Sequence, residues 1–156
     1  MVKQRLDANN LSQVAPGALK AMLALSNYVN NCGLEHALQE LVKIRASQIN
    51  GCANCLHMHT RDARAQGETE ERIYLLDAWR EAPVYTERER AALAWTEALT
   101  LVTEGGVPDE VYEEARKHFT EEELVNLSLL VATINGWNRL NIAFRVVPEV
   151  KANTAA

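Results

Sequence analysis

Apolar residues recur at steps of three and four along most of this chain, and this spacing restricts its possible folds more than any other feature. Residues spaced in this way share one face of an α-helix. A half-buried β-strand would need a sustained alternation of apolar and polar residues, and the sequence has no such stretch. The pattern therefore predicts an all-α fold.

Glycine, proline and capping residues divide the chain into about six to seven helices. Thr86 with Glu89, and Thr120 with Glu123, have the spacing of capping boxes, in which each side chain satisfies a free backbone N–H at a helix start. Glycines at the ends of other apolar runs mark helix stops. The predicted helices lie at about 16–32, 35–49, 52–67, 69–79, 87–104, 108–119 and 121–144, after a polar extended arm at residues 1–14.

Size and composition predict a single domain spanning residues 1–156. The chain is 47% apolar and has neither a low-complexity segment nor a linker that would divide it. A net charge of −5 argues against nucleic-acid binding, which favours a basic surface. The longest strongly apolar run, near 127–134, is too short to span a bilayer, and no secretory signal is evident. Three cysteines, two of them close together, fit a reducing compartment, so we expect a cytoplasmic protein.

The last predicted helix, 121–144, has apolar residues around its whole circumference. A helix with this pattern is usually buried on all sides. In so short a chain, burial on all sides is most simply achieved by a central position together with contact with another subunit. We therefore expect a homo-oligomer, with a central helix in a monomer as the alternative.

The candidate catalytic residues are Cys52, Cys55 and His59. On one helix these residues fall within about 60° of one another, and positions three apart have Cα atoms close enough for a disulfide. Unpaired N–H groups at the helix start favour a thiolate, which is the reactive form of cysteine. His59 is one turn from Cys55, and Glu40 on the preceding helix is a candidate to orient its imidazole.

A zinc site is the main alternative for these residues. Structural zinc usually takes four ligands, whereas Cys52, Cys55 and His59 supply three, and no second Cys or His pair follows. We therefore expect neither a metal nor another cofactor.

The remaining cysteine, histidines and tryptophans have simpler interpretations. Cys32, at a helix end, is expected to be a structural free thiol. His57 points away from Cys52 and is expected at the surface, with His36 and His118 solvated on polar stretches. The three tryptophans fall at helical spacing with other apolar residues, and core packing is expected for each.

The spacing of these residues resembles a known family. Glu40, Cys52-x-x-Cys55 and His59-Thr60 are similar to the signature of the alkylhydroperoxidase D-like branch of the carboxymuconolactone decarboxylase family. The segments 45–52 and 135–140 also resemble that branch, and the similarity covers nearly the whole chain.

The resemblance implies an all-helical subunit in a homotrimer or homohexamer, with thiol peroxidase or disulfide reductase activity. Cys55 would attack an organic hydroperoxide, and Cys52 would resolve the product as a disulfide. His59 would activate Cys55, with Glu40 as its partner in a proton relay. A dithiol such as dihydrolipoamide, or a thioredoxin-like protein, would then reduce the pair.

One position departs from the family pattern, and three other functions stay open. Asn54 stands where other members have a histidine or an aromatic residue, so a relay through that position cannot operate here. The alternatives are a protein disulfide reductase that partners a peroxiredoxin, a decarboxylase-like enzyme acting on a lactone, and a non-enzymatic redox-sensing oligomer.

Overall fold

The structure, a computed structural model, describes residues 3–6 and 8–150 as an all-helical chain. Within these residues there is no strand, and the prediction of an all-α fold is confirmed. Residues 1, 2, 7 and 151–156 of the predicted domain lie outside the described residues. The helices are α1 (Ala8–Val14), α2 (Pro16–Asn30), α3 (His36–Asn50), α4 (Ala53–Ala65), α5 (Glu70–Leu75), α6 (Glu87–Thr100), α7 (Asp109–His118) and α8 (Glu121–Phe144), with short 3-10 helices at Leu76–Ala78 and Val102–Glu104.

The extra helix relative to the predicted six or seven is α1. The prediction of an extended arm at residues 1–14 is wrong for Ala8–Val14. The backbone N–H of Ala15 donates to Leu11 O at 3.0 Å, and that of Leu19 donates to Ala15 O at 3.2 Å. The first bond lies at the end of α1 and the second at the start of α2, with the non-helical Ala15 (φ −140°, ψ 65°) between the two helices. α1 is therefore a short separate helix that apolar spacing does not indicate.

Both predicted capping boxes are present. The hydroxyl of Thr86 accepts from the backbone N–H of Glu89 at 3.2 Å, and the Glu89 carboxylate accepts from the Thr86 N–H at 2.8 Å. Thr120 and Glu123 make the same reciprocal pair at the start of α8. These bonds satisfy backbone donors that a helix start otherwise leaves unpaired.

Two apolar clusters form the core, and α3 contributes to both. The first joins α2, α3, α6, α7 and α8, with Leu38 and Val42 as the contribution of α3. The second joins α3 to α4, α6 and the segment 76–85, with Leu41 and Ile44 from α3. Every residue from Leu38 to Ile44 is buried, so α3 is the helix enclosed on all sides.

In the single chain α8 is not buried on all sides, so full burial of this helix would need the predicted contact with another subunit. Val125 is 67% exposed and Ile142 is 45% exposed, although the opposite face of α8 is buried. The burial of α3 is not evident from the sequence because its buried stretch, residues 38–44, carries two charged residues, Glu40 and Lys43, which pair with each other at 3.0 Å. A paired charge can occupy an interior position that an unpaired charge would avoid.

The α3–α4 turn and the packing of α8 position the candidate site. Gly51 has φ 69°, a left-handed conformation that ends α3 and reverses the chain into α4. As a result α3 and α4 lie side by side, and α8 packs across both. Within residues 3–6 and 8–150, none of the helices has the length and apolar character needed to cross a membrane.

Candidate active site

Cys52 and Cys55 lie at the start of α4 and are joined as a disulfide. Cys52 is the N-cap residue, with its Cα 5.4 Å from that of Cys55. The backbone N–H of Cys55 donates to the sulfur of Cys52 at 3.3 Å. The pair therefore sits where the positive end of the helix dipole and the unpaired N–H groups stabilise negative charge on sulfur once the disulfide is reduced.

Glu40 and His59 meet across the α3–α4 contact. The carboxylate Oε2 of Glu40 lies 2.9 Å from the imidazole Nδ1 of His59, and the side chains are 9% and 11% exposed. Because an ionised carboxylate can only accept, Nδ1 carries the proton and Nε2 is the nitrogen that can accept another. The turn at Gly51 thus brings together the four residues selected from the sequence.

A buried lysine that the sequence analysis did not select completes this charge cluster. Lys43 Nζ donates to Glu40 Oε1 at 3.0 Å and to Asn30 Oδ1 at 3.0 Å. Burial alone would raise the pKa of Glu40. The hydrogen bond from His59 and the charge of Lys43 outweigh burial, so the pKa of Glu40 lies below its ordinary value of 4.5. Glu40 is therefore an anion at neutral pH and can hold a protonated His59.

These residues border a cavity of about 550 Å³ between α2, α3, α4 and α8. Cys55, His59, Glu40 and Lys43 all contribute to its wall, whereas Cys52 does not. Much of the remaining wall is apolar, formed by Leu23, Val29, Met58, Leu130, Ile134 and Trp137. The disulfide itself is shielded, since Cys55 has 0% exposed surface. The cavity thus gives Cys55, and not Cys52, the position next to a bound small molecule.

Asn141 of α8, which could not be identified from the sequence, contacts the sulfur of Cys55 directly. Its Nδ2 donates to Cys55 Sγ at 3.3 Å, across 86 residues of sequence. One turn earlier, Asn138 donates to Ser47 Oγ at 3.0 Å, and its Oδ1 accepts from Asn50 at 2.9 Å. These amides fix α8 against α3 and against the turn that leads to the cysteines.

Other residues considered in the sequence analysis lie around the cavity or away from it. Asn54 is half-buried in the cavity wall, beside Cys55. His36 is exposed, as expected, but also borders the cavity. His57 is half-buried in a separate groove on the other side of α4. The Cys32 thiol is free and donates to Val29 O at 3.0 Å.

Core packing is confirmed for two of the three tryptophans. Trp79 and Trp95 are buried, whereas Trp137 forms part of the cavity wall and donates to Ser26 Oγ at 2.8 Å. His118 is half-buried and pairs with Glu114 at 3.2 Å instead of being fully solvated. Within the part of the chain that the structure describes, no three or more His, Cys, Asp or Glu side chains are grouped so as to bind a metal ion.

Comparison with known proteins places this site in a family. A model of the carboxymuconolactone decarboxylase family matches residues 16–98. The uncharacterized protein YdfG of Bacillus subtilis is 47% identical over 131 residues, which are 84% of this chain and 89% of YdfG. YdfG therefore extends the similarity well beyond the residues that the family model matches.

Solved structures agree with this assignment. A protein of unknown function from Agrobacterium tumefaciens, named as a candidate antioxidant defence protein AhpD, has a TM-score of 0.91 and 46% identity, covering 96% of this chain and all 100% of that one. The debrominase Bmp8 has the same fold at 19% identity, with a TM-score of 0.77, covering 88% of this chain and 74% of Bmp8. The chain belongs to the alkylhydroperoxidase D-like branch of the carboxymuconolactone decarboxylase family.

Proposed function

We propose that this protein is a thiol-dependent hydroperoxide reductase in which Cys55 is the nucleophile and Cys52 the resolving thiol. One observation carries the proposal. Cys55, which can form a disulfide with Cys52, borders the same cavity as the hydrogen-bonded His59–Glu40 pair. A nucleophile, a base and a group that orients the base are the parts that activated thiol chemistry needs.

The first step takes place at Cys55 in the reduced protein. His59 removes the thiol proton, and the resulting thiolate attacks the terminal oxygen of a hydroperoxide. The S–O bond forms as the O–O bond breaks, and the departing alkoxide takes the proton from His59 to become an alcohol. Cys55 is oxidised to a sulfenic acid, and the hydroperoxide is reduced by two electrons.

The second step forms the disulfide. The sulfur of Cys52 attacks the sulfur of Cys55, so that the S–S bond forms and the S–O bond breaks. The hydroxide that leaves combines with the proton of the Cys52 thiol to give water. A small dithiol reductant such as dihydrolipoamide then returns two electrons and two protons to the pair by thiol–disulfide exchange. Such a reductant operates in the reducing cytoplasm, which is the location we propose.

Glu40 and Lys43 act through His59 in this scheme. Protonated His59 is a cation in a nearly buried position, and Glu40 at 2.9 Å stabilises it. Lys43 balances the charge of Glu40 while His59 is neutral, so the cluster avoids an unpaired buried anion. Both residues are therefore proposed to position and tune the base.

The surroundings of the sulfurs favour a small hydroperoxide over a protein disulfide as oxidant. Exchange with a protein disulfide requires an incoming sulfur to approach the attacked sulfur directly. Cys52 is 1% exposed and Cys55 is 0% exposed, whereas the adjoining cavity of about 550 Å³ has room for a small organic molecule. Asn54, in the cavity wall beside Cys55, has a side-chain amide that can donate a hydrogen bond to an oxygen of such a substrate.

Steady-state consumption of cumene hydroperoxide with dihydrolipoamide as reductant tests the proposal. Wild type and Cys32→Ser should turn over at similar rates, because Cys32 lies outside the cavity. Cys55→Ser should have no turnover above the uncatalysed reaction. Turnover in Cys55→Ser at the wild-type rate would exclude Cys55 as the nucleophile. Absence of turnover in the wild type would favour disulfide exchange or redox sensing.

A further inference from the structure

The amide of Asn141 is the group from α8 that touches the candidate nucleophile. Nδ2 of Asn141 lies 3.3 Å from Sγ of Cys55, within hydrogen-bonding distance for sulfur, and Asn141 also borders the cavity. It approaches from a different helix than Glu40 and His59, which belong to α3 and α4. The contact is therefore independent of the C-x-x-C motif and of the His59–Glu40 pair.

The end of α8 is held in place around this amide. The backbone N–H groups of Arg5 and Leu6 donate to Phe144 O at 2.9 and 3.3 Å, and the Arg5 guanidinium donates to Ala143 O at 3.1 Å. The N–H of Val146 donates to the carbonyl of Asn141 at 2.9 Å. The N-terminal segment and the helix cap thus hold the backbone of the last turn of α8, which carries the amide that donates to Cys55.

The strength of this hydrogen bond depends on the state of the sulfur. A sulfur in a disulfide is a weak acceptor, whereas a thiolate carries a full negative charge, and hydrogen bonds to charged acceptors are about twice as strong as neutral ones. The Asn141 donor consequently stabilises reduced, ionised Cys55 more than it stabilises the disulfide. A fixed donor that favours the reactive state is the arrangement found in electrostatic catalysis.

We propose that Asn141 is a further catalytic residue, which donates a hydrogen bond from α8 to the thiolate of Cys55. In the peroxide reaction this role rests on the function proposed above. The stabilisation of the thiolate itself does not, because it applies to any reaction in which Cys55 is the nucleophile.

Asn141→Ala tests this role in the reduced protein, with iodoacetamide as the alkylating agent. The rate of alkylation of Cys55 at neutral pH should fall by about tenfold, the effect of losing one hydrogen bond to a charged acceptor. The pH at which the rate is half-maximal should rise. The Cys52–Cys55 disulfide should also need about a tenfold higher ratio of reduced to oxidised dithiothreitol for half reduction, because the reduced state loses stabilisation.

Asn141→Asp provides a second variant with the shape of asparagine. Its carboxylate cannot donate and repels a thiolate, so the alkylation rate should fall at least as far as in Asn141→Ala. This variant also covers the case in which Asn141→Ala does not fold. Asn126→Ala is the matched control. Asn126 is a buried asparagine of the same helix that accepts from the Tyr28 hydroxyl at 3.0 Å and lies outside the cavity wall.

The outcomes separate this inference from the proposed function. Slow alkylation and a shifted redox equilibrium in both Asn141 variants, with Asn126→Ala unchanged, would support the role of Asn141. If Cys55 in either Asn141 variant were alkylated with the same rate and pH dependence as in the wild type, the proposed role of Asn141 would be overturned. Wild-type protein that alkylates at Cys55 but consumes no cumene hydroperoxide would reject the proposed peroxidase and leave the test of Asn141 intact.

Discussion

Three helices supply the side chains that surround Cys55. His59 comes from the same helix as Cys55, Glu40 comes from α3, and Asn141 comes from α8. In the proposed mechanism His59 moves a proton, Glu40 holds the imidazole ring of His59, and Asn141 donates a hydrogen bond to the sulfur of Cys55. Because these tasks differ, substitutions at the three positions should have different experimental signatures.

His59→Gln tests the activating role of His59. Glutamine cannot accept a proton, so the thiolate of Cys55 loses the cation that forms beside it. The pH dependence of Cys55 alkylation should move to higher pH, as measured with iodoacetamide on the reduced protein. His57→Gln is a matched control on the same helix, in a separate groove, and should behave as the wild type does. A His59→Gln profile that overlays the wild-type profile would remove His59 as activator.

Glu97, a half-buried carboxylate away from the cavity, should make the protein less stable in acid. Burial alone would raise the pKa of Glu97. Hydrogen bonds from Arg80 and the Trp79 indole, together with the charge of Arg45, outweigh burial and hold this pKa below its ordinary value of 4.5. A group with a lower pKa when folded stabilises the protein above its unfolded pKa, and the contribution is lost as pH falls through the folded value.

Glu97→Gln should therefore cost stability at neutral pH and progressively less as the pH falls below 4.5. Urea unfolding at a series of pH values measures this difference. Exposed Glu122→Gln is the control and should leave the free energy of unfolding nearly unchanged. A constant gap between Glu97→Gln and wild type across the acid range would contradict the assignment.

The candidate site could be predicted from the sequence only in part. Cys52, Cys55 and His59 are predictable because one helix fixes their spacing, and Glu40 because the turn at 50–51 must fold its helix back. Asn141 lies 86 residues from Cys55, and its contact exists only after α8 has packed. Lys43 has the sequence pattern of a solvated helix charge, so its place beside Glu40 could not be predicted from local spacing.

At the level of helices and turns, the site depends on how α3 passes into α4. Gly51 has φ 69°, and the space around a Cβ built there is open to 4 Å. Alanine would therefore meet no steric clash with its neighbours, and the cost of a substitution comes from the left-handed backbone alone. A Gly51→Ala substitution therefore tests backbone strain alone, without a packing effect, in the turn that leads to Cys52 and Cys55.

Gly51→Ala should lower the free energy of unfolding by about 1 kcal/mol, since a residue with a Cβ disfavours this conformation. Urea denaturation measures the change. Gly17→Ala is the matched control, because Gly17 lies in α2 without a positive φ and also has open space around its Cβ position. Gly17→Ala should be neutral or slightly stabilising. Equal stability of the two variants would refute the argument from strain.

Helix boundaries could be predicted where side chains bond the backbone locally, and not where tertiary contacts decide. The capping boxes at 86–89 and 120–123 involve residues only three apart, so the sequence contains the whole interaction. α1 has no comparable signal, and the single non-helical residue Ala15 separates it from α2. The all-round burial of α3 includes Glu40 and Lys43, whose pairing makes their burial possible and which apolar periodicity does not indicate.

For the whole molecule, exposed apolar side chains support the proposal of a homotrimer or homohexamer. Leu23 of α2 and Val125 and Ile142 of α8 are large apolar side chains with substantial exposure in the single chain. Contact with a second copy would remove such surface from water, which is favourable. The same surface would explain why the sequence of α8 is apolar around its whole circumference.

Sedimentation equilibrium at micromolar concentration tests this assembly. Wild type should sediment as a trimer or hexamer, and the Val125→Glu, Ile142→Glu double variant should dissociate because charges enter the contact. Tyr74→Glu is the control, since Tyr74 is also highly exposed but belongs to α5, on another part of the surface. A monomeric wild type would reject the oligomer.

The most direct test of the proposed chemistry is to treat the reduced protein with one equivalent of cumene hydroperoxide and to identify the products by mass spectrometry. A Cys52–Cys55 disulfide is expected in the wild type. In Cys52→Ser we expect a dimedone-trapped sulfenic acid at Cys55, and in Cys55→Ser we expect no adduct at Cys52. A wild-type protein that stays reduced, or an adduct that forms at Cys52 in Cys55→Ser, would contradict the assignment of Cys55 as the thiol that attacks peroxide.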